Sequence, residues 1–111
     1  MLARRHRLPT SFFQQLKGKR GFGRKLSKGA LVARVFPSPF PYSRFGVVVS
    51  RSAGARSVGR NRLRRVVYEW VRTNDLFQKP GMDIVIIPRS TLLTEPASAI
   101  FKELKELFRL M

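Results

Sequence analysis

Apolar residues recur along this chain with two different periods, and the switch between them outlines the fold. Leu63, Val66, Val67, Trp70 and Val71 follow the three-and-four spacing of a helix, which at about 3.6 residues per turn gathers them on one side. Asn61, Arg64, Arg65, Tyr68 and Arg72 fall on the other side. Ser57 is the candidate cap, and the helix is predicted to end before Asp75. A second amphipathic run sets Ile100, Leu104, Leu107 and Phe108 against Lys102, Glu103, Lys105 and Glu106. It predicts a last helix capped by Thr94, with Pro96 in its first turn. Near the start, Thr10 or Ser11 heads a short helix in which Phe12 and Leu16 lie one turn apart, and Ser11 with Gln14 fits capping-box spacing.

Shorter apolar runs predict strands at 30–36, 44–50 and 82–87. Pro37, Pro39 and Pro41 force an extended or turning connection between the first two, which are predicted to pair antiparallel. The third opens after the turn signal Pro80-Gly81 and closes at Pro88; its return after a long helix implies a βαβ crossover. Residues 18–29 (GKRGFGRKLSKG) read as a loop by composition, 51–59 as a small-residue loop, and 1–10 as a flexible basic arm. The order is helix, two or three strands, helix, strand, helix. The fold class is therefore α+β, a small two-layer α/β sandwich with a mixed sheet, and 111 residues make one domain.

Charge changes the picture from a small fold to a binding protein. Net charge is +17, and 17 of the 23 Lys and Arg precede Glu69 while all 6 acids stand at or after it. Such an excess repels itself in the compact state, so a polyanionic partner is expected. A hydrophobic fraction of 43% argues against a wholly disordered basic tail. With no cysteine, disulfides and thiolate metal sites are excluded and an intracellular compartment fits. The N-terminus lacks the apolar stretch of a secretory signal, and the aliphatic runs 47–49 and 84–87 are too short to span a bilayer. The expectation is a soluble, cytoplasmic chain with no membrane partner, because no amphipathic helix carries a broad aromatic insertion face.

The densest chemistry is Arg60-Asn61-Arg62-Leu63-Arg64-Arg65, four guanidiniums and an amide at the start of a helix. The helix macrodipole disfavours cations there by about 0.3–1 kcal/mol each, and Arg60 stands where a capping box would place Glu or Gln. A solvated basic face is the bland alternative, but a sequence built only for helix stability would put acids in that turn. An anion that gathers the arginines and the open N–H groups explains the pattern, and phosphate is the usual one.

Catalytic chemistry is missing by the same reading. His6, the sole histidine, is flanked by Arg5 and Arg7, whose charge works against a metal cation. The acids are too sparse for a two-metal nuclease; Asp83 is the least implausible ligand, and a structural role suits it better. Gly21-Phe22-Gly23 lacks the strand–helix context of a phosphate loop. Phe12, Phe13, Phe22, Phe36, Phe40, Tyr42 and Phe45 interleave with basic residues, which suits stacking on unpaired bases, although most must serve the core. The chain is read as an RNA-binding protein that performs no chemistry with its own side chains.

The run at 60–65 followed by Glu69 resembles the signature of the bacterial ribonuclease P protein component. The likeness extends over nearly the whole chain: Arg7-Leu8 with Phe12, Leu16 and Lys17 is similar to that family's first helix. Arg44-Phe45-Gly46-Val47-Val48-Val49-Ser50-Arg51 is similar to its central strand, and Asp83-Ile84-Val85-Ile86-Ile87-Pro88-Arg89 to its last. The resemblance implies a left-handed βαβ crossover, against the usual rule, in a protein that assists RNA-catalysed removal of the 5′ leader from precursor tRNA. It implies ribonuclease P RNA and precursor tRNA as partners, a monomer outside the ribonucleoprotein, and Mg²⁺ held through the RNA subunit rather than by a dedicated protein site. It implies RNA binding by Arg51, Arg56, Arg60, Asn61, Arg62, Arg64, Arg65, Tyr68 and Arg72, and leader binding by Phe12, Leu16, Lys17 and Arg34. Tyr68 stands where the family commonly has a basic residue, and Arg34 and Leu16 where it commonly has aromatics. The alternative is a structural RNA-binding protein of ribosomal type; a stand-alone nuclease fails for want of carboxylates.

Overall fold

The apolar run predicted at 82–87 becomes the spine of the sheet. The computed structural model describes residues 4–9, 12, 24–38, 40–49, 57–74 and 81–110. Its strands are β1 (Arg24–Lys28), β2 (Leu31–Pro37), β3 (Arg44–Val47) and β4 (Met82–Pro88), in the spatial order β1-β2-β4-β3. β1 and β2 pair antiparallel, as do β2 and β4, whereas β3 runs parallel to β4. Helix α1 (Ser57–Thr73) connects the parallel pair, and α2 (Ala97–Phe108) closes the chain. Among the described residues, the result is a mixed four-stranded sheet with two long helices, an α+β fold.

The two edges of the expected antiparallel hairpin are separated by β4. Strands at 30–36 and 44–50 do not pair with each other; both flank β4, one on each side. The reason lies in side-chain demand. In β4 five of seven residues are buried, on both faces, and a strand apolar on both sides takes the centre of a sheet. The proline-rich connection at 37–41 is also too long for a tight hairpin turn. The tight hairpin forms elsewhere, between β1 and β2, within the segment expected to be a loop. Its two-residue turn is Gly29-Ala30, with Gly29 at φ 58°. A Cβ on Gly29 would run into the Glu103 carboxylate, whose Oε1 accepts from the Ala30 N–H at 3.0 Å.

One face of the sheet carries the main core. Leu31 and Ala33 of β2, Phe45 and Val47 of β3, and Ile84 and Ile86 of β4 pack under Leu63, Val67, Trp70 and Val71 of α1 and Ile100, Leu104 and Leu107 of α2. The apolar stripes read from the sequence are thus the buried faces of both helices. Trp70 and Phe45 each meet the Phe108 ring, at 5.0 and 6.3 Å between centroids. The start of α2 differs from expectation. Thr94 ends a 3-10 turn, Ser90–Thr94, and Pro96 occupies the cap position with no side-chain cap bond. Pro96 is still extended at φ −67° and ψ 158°, so helical backbone begins only after it and Thr94 is left two residues short.

Residues 4–9 correct the picture of a flexible arm. A 3-10 turn, Arg4–His6, leads into Arg7, which bridges to Phe45 in parallel, and the Leu8 N–H donates to the Phe45 carbonyl at 2.8 Å. His6 and Leu8 are buried. This segment lies along β3. Leu8 joins Phe36 and Val85 in a second, smaller cluster on the sheet face away from the helices, with Phe12 and Ile87 against it.

Candidate nucleic-acid interface

Two surfaces gather the chemistry. The first belongs to the exposed side of α1, whose first turn contains no acid. Asn61, Arg64, Arg65 and Tyr68, one turn apart along the helix, join Arg7 and Val58 around an open cleft of about 580 Å³. Arg64 Nη1 donates to Asn61 Oδ1 at 3.0 Å, so the amide aims one guanidinium. Burial pushes the Tyr68 hydroxyl above its ordinary pKa, against the opposing pull of a backbone hydrogen bond at Val47 and the charges of Arg7 and Arg64. Tyr68 therefore stays a neutral phenol, a donor among cations. The Nε of Arg7, which lines the cleft, is buried without a hydrogen-bond partner, as is that of Arg60, which does not line it. The exposed Arg65 and half-buried Arg64 present the guanidiniums that an incoming phosphate oxygen would meet.

Not every arginine of the motif faces that cleft. Arg62 turns to the other side, where Nη2 donates to the Glu95 carbonyl at 2.9 Å and Nη1 reaches the Leu93 carbonyl at 3.5 Å. It braces α1 against the end of the 3-10 turn. Arg72 pairs with Glu69 three residues earlier, at 2.8 Å, and this hydrogen bond is the largest cause that lowers the Glu69 carboxyl to about 2. Replacing Arg62 by Ala is therefore expected to lower stability by about 1.5–3 kcal/mol, the scale of hydrogen bonds to a charged group. The salt dependence of RNA binding should stay as it was. Arg65→Ala should do the reverse, leaving the melting temperature in place and flattening the salt slope by roughly 0.7–0.9. Melting curves beside a salt titration of RNA affinity check both; matching behaviour of the two variants would contradict the division.

The second surface is the sheet face away from the helices. Phe36 of β2 meets the Phe12 ring at 5.7 Å, edge to face. Arg34 lies on the same face two residues back and sits opposite Val85 of β4 in register. Phe36 and Val85 are buried beneath this face, and the partly exposed Phe12, Arg34 and Ile87 are what it offers outward, an aromatic ring for an unpaired base and a guanidinium for its phosphate. Leu16, Lys17, Arg51 and Arg56 fall outside the described residues. Arg7 was not singled out for the cleft by the sequence. The available signal was the Arg5-His6-Arg7 run, but its place beside α1 follows from the pairing with β3, a long-range contact.

Asp83 is a structural partner. Its carboxylate accepts from Arg44 Nε at 2.9 Å and Nη2 at 2.8 Å across the β3–β4 pair. The structural role expected for Asp83 is thus filled within the sheet, where Asp83 and Arg44 sit opposite each other in register. Among the described residues, no group of three or more His, Asp or Glu is placed to hold a metal ion. Asp83 is committed to Arg44, Glu69 to Arg72 and Glu103 to the Ala30 N–H. No helix among the described residues is long and apolar enough to cross a membrane.

Comparison with known proteins agrees with this geometry. The sequence profile of the family described as Ribonuclease P matches residues 2–111. The ribonuclease P protein component of Coprothermobacter proteolyticus is 35% identical over 99 residues, spanning 85% of this chain and 81% of the relative. That of Clostridioides difficile is 35% identical over 88 residues, spanning 78% and 76%. Among solved structures, the RNase P protein from Thermotoga maritima superposes with a TM-score of 0.78 at 29% identity, over 95% of this chain and 96% of the other. The Staphylococcus aureus RNase P protein shares the fold at a TM-score of 0.79 and 20% identity, over 95% and 94%. The profile match over nearly the whole chain, the sequence identity and the shared fold agree, and the chain belongs to the ribonuclease P protein family.

Proposed function

We propose that this chain is the protein subunit of a ribonucleoprotein endoribonuclease and that it works through its two surfaces separately. The cleft of Arg7, Asn61, Arg64, Arg65 and Tyr68 binds phosphates of ribonuclease P RNA. The sheet face of Phe12, Arg34 and Phe36 holds the single-stranded 5′ leader of precursor tRNA. Cleavage belongs to the RNA subunit and the Mg²⁺ it holds; the protein supplies positive charge and a fixed path for the leader, in the cytoplasm and as a monomer outside the particle. The observation that carries this reading is the separation of a cationic cleft on α1 from an aromatic and cationic surface on the opposite face of the sheet. A ribosomal-type structural protein needs the first and has no use for the second, and the family match sets that alternative aside.

Protein freed of RNA is expected to cleave no precursor tRNA at any Mg²⁺ concentration. Combined with ribonuclease P RNA, it should reduce the Mg²⁺ needed for cleavage of a leader-bearing substrate more than for a leaderless one. Site-correct cleavage by the protein alone, or an equal Mg²⁺ effect on both substrates, would overturn the proposal.

A further inference from the structure

The loop that leaves β2 carries two aromatic rings that neither surface uses. Phe40 and Tyr42 are stacked, with centroids 5.3 Å apart and planes 13° from parallel. The edge of one ring of the next pair, His6 and Tyr42, meets the other's face at 5.1 Å and 83°. The Arg44 guanidinium lies over Phe40, 4.8 Å from the ring centroid, and is itself held by Asp83. The loop backbone is fixed as well. The Phe40 N–H donates to Ser38 Oγ at 3.1 Å, and the Ser38 N–H donates to the Gly81 carbonyl at 2.8 Å. Phe40 nevertheless remains 40% exposed. Tyr42 and Arg44 both lie against the Phe40 ring, so what it offers a base is the part they leave open; with the exposed cation Arg5 joined to the cluster through His6, this group has the composition of a base-stacking platform.

Its position says which nucleotide it would take. Phe36 of β2 lies opposite Asp83 of β4, and Asp83 lies opposite Arg44 of β3. A row therefore crosses the sheet from the Phe12–Phe36 pair to the Phe40 ring above Arg44, two strand spacings or about 10 Å. We infer that Phe40, backed by Tyr42 and Arg44, stacks on an unpaired leader base that lies beyond those at Phe12 and Phe36, with Arg5 at its phosphate. The inference rests on the sheet face being the leader surface and extends that surface onto the loop after β2. Stacking on a ring tolerates any base, so the platform selects for leader length and unpairedness rather than for sequence.

The experiment uses the reconstituted ribonucleoprotein and precursor tRNAs whose leaders are lengthened one nucleotide at a time. Phe40→Ala should bind leaderless and short-leader substrates as the parent does. It should lose about 5- to 150-fold in affinity once the leader reaches the loop, the equivalent of one stacked base. Phe40→Trp should retain the long-leader affinity and Phe40→Leu should lose it, with melting temperatures close to the parent's. The inference is overturned if Phe40→Ala equals the parent at every length while Phe12→Ala keeps a leader-dependent loss. It is also overturned if Phe40→Ala weakens leaderless substrate equally, which would place the ring at the catalytic RNA or in the fold. If Phe12→Ala shows no leader dependence either, the leader surface itself is wrong, a different failure visible in the same data.

Discussion

Arg44→Met is expected to cost about 3–5 kcal/mol of folding stability. The substitution keeps most of the volume but leaves the Asp83 carboxylate, only 2% exposed, without its bidentate partner. A buried charge with no compensation carries the full desolvation penalty. Asp83→Leu should cost less, because the Arg44 side chain it orphans keeps 15% of its surface open and can turn to water. The double variant Arg44→Met/Asp83→Leu should recover most of the loss, since an apolar pair of similar size replaces a buried ion pair at little net cost. Urea unfolding of the three variants decides the matter. Additive losses in the double variant would show that the two residues act independently and that the pair is not what holds β3 to β4 at this row.

Phe12→Ala carries the largest expected effect on substrate. Phe12 is only partly buried and meets Phe36 edge to face, so part of the ring is accessible to a base. Loss of one stacked base corresponds to about 1–3 kcal/mol, or about 5- to 150-fold in affinity for precursor tRNA with a leader several nucleotides long. Affinity for mature tRNA and for the RNA subunit should not change. Were Phe12 purely core, truncation would instead remove about 3–5 kcal/mol of stability and depress every activity together. Melting temperature measured beside affinities for long-leader and leaderless substrates separates the two; a collapsed melting temperature with equal losses would place the leader elsewhere.

What the sequence made legible follows from which signals are local. The stripe of Leu63, Val67, Trp70 and Val71 is a local repeat, and it became the buried side of α1. The opposite stripe predicted the cleft residues Asn61, Arg64, Arg65 and Tyr68. Arg62 was grouped with them by motif, but its partners at Leu93 and Glu95 lie about thirty positions on, beyond any periodicity. β1 was hidden because an edge strand needs no apolar alternation: Arg24, Lys25, Ser27 and Lys28 are exposed and only Leu26 is partly buried. Gly29-Ala30, a two-residue turn with Gly first, was the signal that composition overrode. The order of strands escapes the local reading for a related reason: the apolar run of β4 is buried on both faces, and that is what makes this strand central.

The sheet's two edges are protected by different means, and that has a consequence for the protein at high concentration. Beside β3, the Arg7–Leu8 segment uses up backbone bonding capacity with the chain's own amides. Beyond β1 no described element pairs, and its guard is the row Arg24, Lys25 and Lys28, whose repulsion keeps a second copy from adding a strand. Steric cover is indifferent to the solution, whereas charge repulsion fades within a few ångströms in strong salt and vanishes against a neutralising polyanion. Among the described residues, β1 is therefore the edge through which a second copy could add, and it is guarded by the same positive charge that draws the protein to RNA.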